Sequence, residues 1–141
     1  MIVDHIGIIV EDIEQTVEKL SALFDLEVEQ IQDMPDVGLK VAHIKADNVE
    51  IELLQYTGEK PGFAQQVMGP KSGINHISVK VDSLNEALVK MKEAGARLKH
   101  GFPRQGSRGV IAFFEPETTG GILFEICERT GAGDRSRGHR K

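Results

Sequence analysis

The feature that most limits how this chain can fold is an internal repeat. Asp4-His5-Ile6-Gly7-Ile8 returns as Asn75-His76-Ile77-Ser78-Val79, and Val49-Glu50-Ile51-Glu52-Leu53 returns as Ile122-Leu123-Phe124-Glu125-Ile126. His5 maps on His76 at an offset of about 71 residues and Glu52 on Glu125 at about 73, so the register holds within two residues across half the chain. A sequence of this kind builds the same supersecondary unit twice. It also offers candidate metal ligands as two equivalent His/Glu pairs.

Strand geometry sharpens the pattern, because alternate residues of a strand point to opposite faces. His5 shares a face with Val3, Gly7 and Ile9, while Ile6, Ile8 and Val10 take the other. Glu52 lies on the face of Glu50, Leu54 and Tyr56, and Glu125 on that of Leu123 and Cys127, each acid flanked by apolar neighbours in sequence. A carboxylate buried among such neighbours without a partner costs several kcal/mol, so a compensating charge or cation is expected at each.

Around these strands the first half reads βαβββ. Asp12 caps a helix with Ile13, Val17, Leu20 and Phe24 at three- and four-residue spacing, and extended segments follow at 27–32, 39–45 and 49–56. The second half repeats the order: a strand at 74–81, a helix over 84–93 capped by Ser83 and closed by Gly95, then short strands near 97–98, 109–114 and 121–128. Residues 57–73, rich in Gly, Pro and polar side chains, read as a linker holding one short helix near 62–68. The expected architecture is α+β: paired βαβββ modules, about 1–56 and 74–128, forming a curved sheet cup around a metal site within a single domain over 1–128. Residues 129–141, Gly- and Arg-rich without apolar periodicity, read as a flexible tail.

The 141 residues, 40% apolar and 28% charged, suit one ordinary globular domain, and no apolar run approaches the roughly 20 residues of a spanning helix. A cytoplasmic protein without a membrane partner is expected. The net charge of −5 argues against nucleic acid as a partner. A single cysteine, Cys127, excludes an intramolecular disulfide and a thiolate metal site, so any metal is held by His and carboxylate.

Two imidazoles and two carboxylates, His5, Glu52, His76 and Glu125, suit a divalent first-row ion such as Co, Zn, Ni, Mn or Fe, and four protein ligands leave positions open on a six-coordinate ion. Open adjacent positions can chelate an oxygenated ligand and polarise its carbonyl, which is the chemistry of enolisation. Glu50, whose repeat partner is Leu123, reads as rim or surface, His43 as structural with a proton donor as the alternative, and His100 and His139 as solvent-exposed.

With these residues in hand the chain resembles the vicinal oxygen chelate (glyoxalase/bleomycin resistance/dioxygenase) superfamily over residues 2–128, and its second half is most similar to the methylmalonyl-CoA epimerase family. The segments that carry this are Gly73-Ile74-Asn75-His76-Ile77, Gly95-Ala96-Arg97-Leu98, Pro103-Arg104-Gln105-Gly106, Phe113-Phe114-Glu115-Pro116 and Thr119-Gly120-Gly121-Ile122-Leu123-Phe124-Glu125-Ile126-Cys127. The resemblance implies metal ligation by His5, His76, Glu125 and, in the fourth position, Glu52, where related epimerases carry glutamine. It implies a cytoplasmic homodimer acting on an acyl-CoA through an enolate, with Glu52 and Glu125 as catalytic acids and Lys40, Lys45, Arg104 and Arg108 as candidates for the CoA phosphates. A glyoxalase I-like lyase acting on a thiol adduct, and a non-catalytic small-molecule binding protein, are the alternatives within the superfamily. Three positions depart from the family pattern: Asn75 stands where many members have a second histidine, Glu115 where histidine is common, and Val41 where some epimerases place a glutamate base.

Overall fold

The computed structural model describes residues 1–130, which form two compact units: His5–Ile77, and Met1–Asp4 together with 78–130. Strands β1 (Ile2–Ile9) and β6 (Gly73–Lys80) each run from one unit into the other.

The unit His5–Ile77 carries the rest of the first repeat: α1 (Ile13–Leu23), β2 (Glu27–Val28), β3 (Gln32–Met34), β4 (Leu39–Lys45), β5 (Glu50–Tyr56) and α2 (Phe63–Met68). Its strands lie in the order β2-β4-β5-β1-β6, with β3 also on β4; β1 is parallel to β5, and β4 is antiparallel to β5. The alternation read from the sequence divides the two faces. Ile8, Val10, Ala42, Ile44, Ile51 and Leu53 pack under Ile13, Val17 and Leu20 of α1, whereas Ile9, Leu39, Val41 and Leu54 pack with Val37 and Ala64 beside α2. Asp12 caps α1 by accepting from Gln15 N at 2.9 Å, and the Gln55 side chain of β5 accepts from Ile13 N at 2.9 Å.

The expected strand over 27–32 divides in two. Both pieces pair with β4, β2 beside Ile44 and Lys45 and β3 beside Leu39 to Val41, and between them Glu29 N still donates to His43 O at 3.0 Å.

The other unit holds α3 (Leu84–Glu93), β7 (Arg104–Gln105), β8 (Gly109–Phe113) and β9 (Phe124–Arg129), in the strand order β6-β9-β8-β7. Ser83 accepts from Glu86 N at 3.2 Å, and Leu84, Leu88 and Met91 bury themselves on Ala112, Phe114 and Ile126. Here the repeat reaches the docking of the helix itself: Glu128 accepts from Leu84 N at 2.8 Å, as Gln55 does from Ile13 N. The strand expected at 97–98 reduces to a bridge between Leu98 and Phe114. The one expected from 121 starts at Phe124, because a 3-10 turn over Pro116–Thr118 draws Gly121 N onto Pro116 O and Thr119 Oγ1 onto Ile122 O. Strand β9 runs on to Arg129, one residue into the expected tail, and Arg129 forms a paired ion bridge with Asp4, Nε to Oδ1 at 2.7 Å. Residues 131–141 of that tail, with His139, lie outside the described residues.

Candidate metal centre

His5 on β1, Glu52 on β5 and His76 on β6 are buried, and one donor atom from each lies within 4.8 Å of the other two. The parallel register of β1 and β5 sets Gly7 opposite Glu52 and His5 opposite Glu50, so the His5 ring stands beside the acid two residues further along, His5 Nε2 to Glu52 Oε2 at 3.7 Å. The rings of His5 and His76 meet edge to face with centroids 5.6 Å apart. His76 has room because residue 7 is glycine: a Cβ there would collide with the imidazole.

On the opposite side of Glu52 stands His43, its direct partner in the β4–β5 ladder, with Nδ1 at 3.7 Å from Glu52 Oε2 and 3.1 Å from Glu50 Oε1. This corrects the reading of Glu50 as a rim residue. Glu50 and Glu52 are two apart on one strand face, and the imidazole across the ladder draws both carboxylates inward, leaving the Glu50 side chain 10% exposed. Lys40 is corrected too. It lies on the helix-covered face of β4, where its ammonium meets Glu14 of α1 at 3.4 Å, whereas Lys45 shares the face of His43 and is exposed. His100 is exposed, as expected.

Glu125 lies in the other unit, on β9, 3% exposed and directly opposite Phe113 in the β8–β9 ladder. Arg104 and Arg108 are half-buried on and after β7. At the far end of β5 the Tyr56 hydroxyl donates to Gly69 O at 2.5 Å, and burial pushes its pKa up to about 12.

The donor chemistry fits a divalent first-row ion. Imidazole nitrogen and carboxylate oxygen suit this class, and ligand atoms at bonds of about 2.1 Å stand about 3.0–3.4 Å apart, close to the 3.7 Å between His5 and Glu52. Three protein donors without thiolate make an open site rather than a closed structural one.

The profile of the Glyoxalase/Bleomycin resistance protein/Dioxygenase superfamily matches residues 4–114. The chain belongs to that superfamily. Among similar members of the superfamily, a Cereibacter sphaeroides protein named ethylmalonyl-CoA/methylmalonyl-CoA epimerase is 36% identical over 128 residues, 87% of this chain and 94% of that one. The structure of Streptomyces coelicolor methylmalonyl-CoA epimerase with 2-nitronate-propionyl-CoA superposes with a TM-score of 0.80 at 25% identity, covering 93% of this chain and 96% of the other. A methylmalonyl-CoA epimerase in complex with methylmalonyl-CoA and NH4+ superposes at 0.79 with 26% identity, covering 92% and 94%. The superfamily fold, α+β with the βαβββ order carried twice, is therefore the fold of this chain.

No helix among the described residues is long and apolar enough to cross a membrane.

Proposed function

We propose that the chain is a metal-dependent epimerase that inverts the α-carbon of methylmalonyl-CoA or a close acyl-CoA. The observation that carries the reading is the buried His5, Glu52 and His76 group, in a chain 36% identical to a protein named as an epimerase of such thioesters. These three residues would hold the ion, with Glu125, the repeat equivalent of Glu52, as fourth ligand. When bound, the ion supplies the electrophilic pull that lowers the cost of negative charge on a thioester oxygen.

Proton handling falls to the chain. Inversion requires a proton to leave one face of the carbon and another to arrive on the opposite face, which takes two groups or one that moves. We assign Glu52 and Glu125, the equivalent acids of the two halves. Position 41, where the family pattern allows a glutamate, is a buried valine packed with Leu39 and Leu54, so no carboxylate is available there. Glu52 is held in a buried place between His5 and His43, away from bulk water that would compete for the proton. Lys45, Arg104 and Arg108 are assigned to the phosphates of CoA, whose charge calls for cations. The same reading makes the enzyme a cytoplasmic homodimer.

The test compares turnover of methylmalonyl-CoA and ethylmalonyl-CoA with that of the methylglyoxal–glutathione hemithioacetal, in deuterated water. Inversion of a CoA thioester with solvent deuterium at the α-carbon is expected. Turnover of the hemithioacetal alone would make the protein a lyase, and tight binding without turnover of any would make it a binding protein.

A further inference from the structure

Neighbouring residues on a strand point to opposite faces, yet Asn75 turns its amide back to the histidine that follows it: Asn75 Oδ1 lies 2.8 Å from His76 Nδ1. The other end of the same amide, Nδ2, donates to the carbonyl of Met68 at 2.8 Å. This second bond decides the first. A backbone carbonyl only accepts, so the amide nitrogen must face Met68 and the amide oxygen must face His76. An amide oxygen also only accepts, so Nδ1 carries the hydrogen. A neutral ring with its proton on Nδ1 presents its lone pair at Nε2.

We propose that Asn75 is a positioning residue that selects the Nε2-donor tautomer of His76, with the Met68 carbonyl as the fixed point that orients it; the proposal rests on the reading of His76 as a metal ligand. The fixed point is itself held. Met68 is the last residue of α2, the Tyr56 hydroxyl binds the next carbonyl, Gly69 O, and the start of the helix is tied by Ala64 N to Val37 O at 3.1 Å. The short helix between the two repeats thus acts on the site through one amide. An imidazole free in water exchanges its proton between both nitrogens, and a ring caught in the wrong form must give up that proton before it can donate to an ion. Outer partners of this kind are worth about 10–100-fold in metal affinity.

The repeat shows why the side chain is an amide. The equivalent position in the first half is Asp4, whose carboxylate is engaged by Arg129. An aspartate at 75 could still accept from Nδ1 but would offer nothing to Met68.

The experiment uses the full chain labelled with 15N-histidine and stripped by a chelator, in which two-bond 15N–1H correlations report the tautomer of each ring. Wild-type His76 is expected to carry its proton on Nδ1, and Asn75→Leu to shift population to the Nε2–H form. In parallel, zinc affinity measured by competition with a chromophoric chelator should fall about 10–100-fold in Asn75→Leu and lie between that variant and wild type in Asn75→Asp, which keeps an acceptor for Nδ1 but loses the Met68 anchor. A proton on Nε2 in the wild type overturns the proposal without recourse to any variant, as does Asn75→Leu with tautomer and affinity unchanged. Because the tautomer is read without metal, a wild-type chain that shows Nδ1–H but takes up no zinc refutes the metal reading while the action of Asn75 on the ring stands.

Discussion

Replacing Gly7 with alanine should weaken the proposed metal centre while leaving the fold intact. The new Cβ would sit 2.5 Å from His76 Nε2 and 2.6 Å from Nδ1, and closer still to Cε1. Ordinary contact between such atoms begins near about 3.5 Å, so the ring must retreat by about 1 Å. Metal–ligand bonds tolerate only about 0.2 Å, and a retreat several times larger takes Nε2 out of bonding range. The expected loss in zinc affinity is at least about 10–100-fold, or about 1.4–2.8 kcal/mol. The obstacle is a side chain rather than backbone, but a buried one held by Asn75, so overpacking of about 1–3 kcal/mol is expected and the metal-free protein should melt about 4–11 °C below wild type. Chelator competition gives the affinity and calorimetry in EDTA gives the melting temperature. A Gly7→Ala protein that binds zinc as tightly as wild type would show that His76 is not a ligand in the orientation found.

Arg129→Met strands the buried carboxylate of Asp4 and should cost about 3–5 kcal/mol in urea unfolding, with Asp4→Asn on the same background recovering part of it; a cost below about 1 kcal/mol would refute the pairing. Tyr56 has its pKa raised by burial to about 12 from an ordinary 10.0, so the unfolded chain ionises first, and the contribution of the neutral phenol is whole below pH 10 and lost as pH rises to 12. The stability gap between wild type and Tyr56→Phe should therefore narrow from pH 9 to pH 11; a constant gap would contradict this. Under the two-carboxylate mechanism, Glu52→Gln or Glu125→Gln should block inversion while permitting some one-sided exchange of the α-proton with deuterated water, and full inversion in both variants would end that assignment.

What the sequence made legible were features whose signal is local or repeated. Helix α3 begins and ends where Ser83 and Gly95 indicated, β4 spans the expected residues, and the faces of β1 and β5 follow simple alternation. Of the four ligand candidates named from the two His/Glu pairs, His5, Glu52 and His76 lie together among the described residues, while Glu125 is not part of that group. Other features depend on which residues meet across strands, and no local pattern encodes that. Glu50 turns inward because His43 stands across the ladder, Lys40 is taken by Glu14 of a helix 26 residues earlier, and β2 and β3 pair with different stretches of β4. Asn75 registered only as a departure from the family pattern. Its role required the carbonyl of Met68, and hence the position of α2, which composition could only suggest.

The twin docking bonds, Gln55 to Ile13 and Glu128 to Leu84, bear on how a duplicated chain can diverge. In each half the strand that carries the acid also grips its own helix three residues further along, and the grip does not pass through the acid. Drift at positions 52 and 125 is thereby decoupled from drift in the scaffold: a lineage could exchange either carboxylate for an amide, or lose it, without loosening the helix. In each copy the bond that seats the helix thus lies outside the contacts of the acid itself.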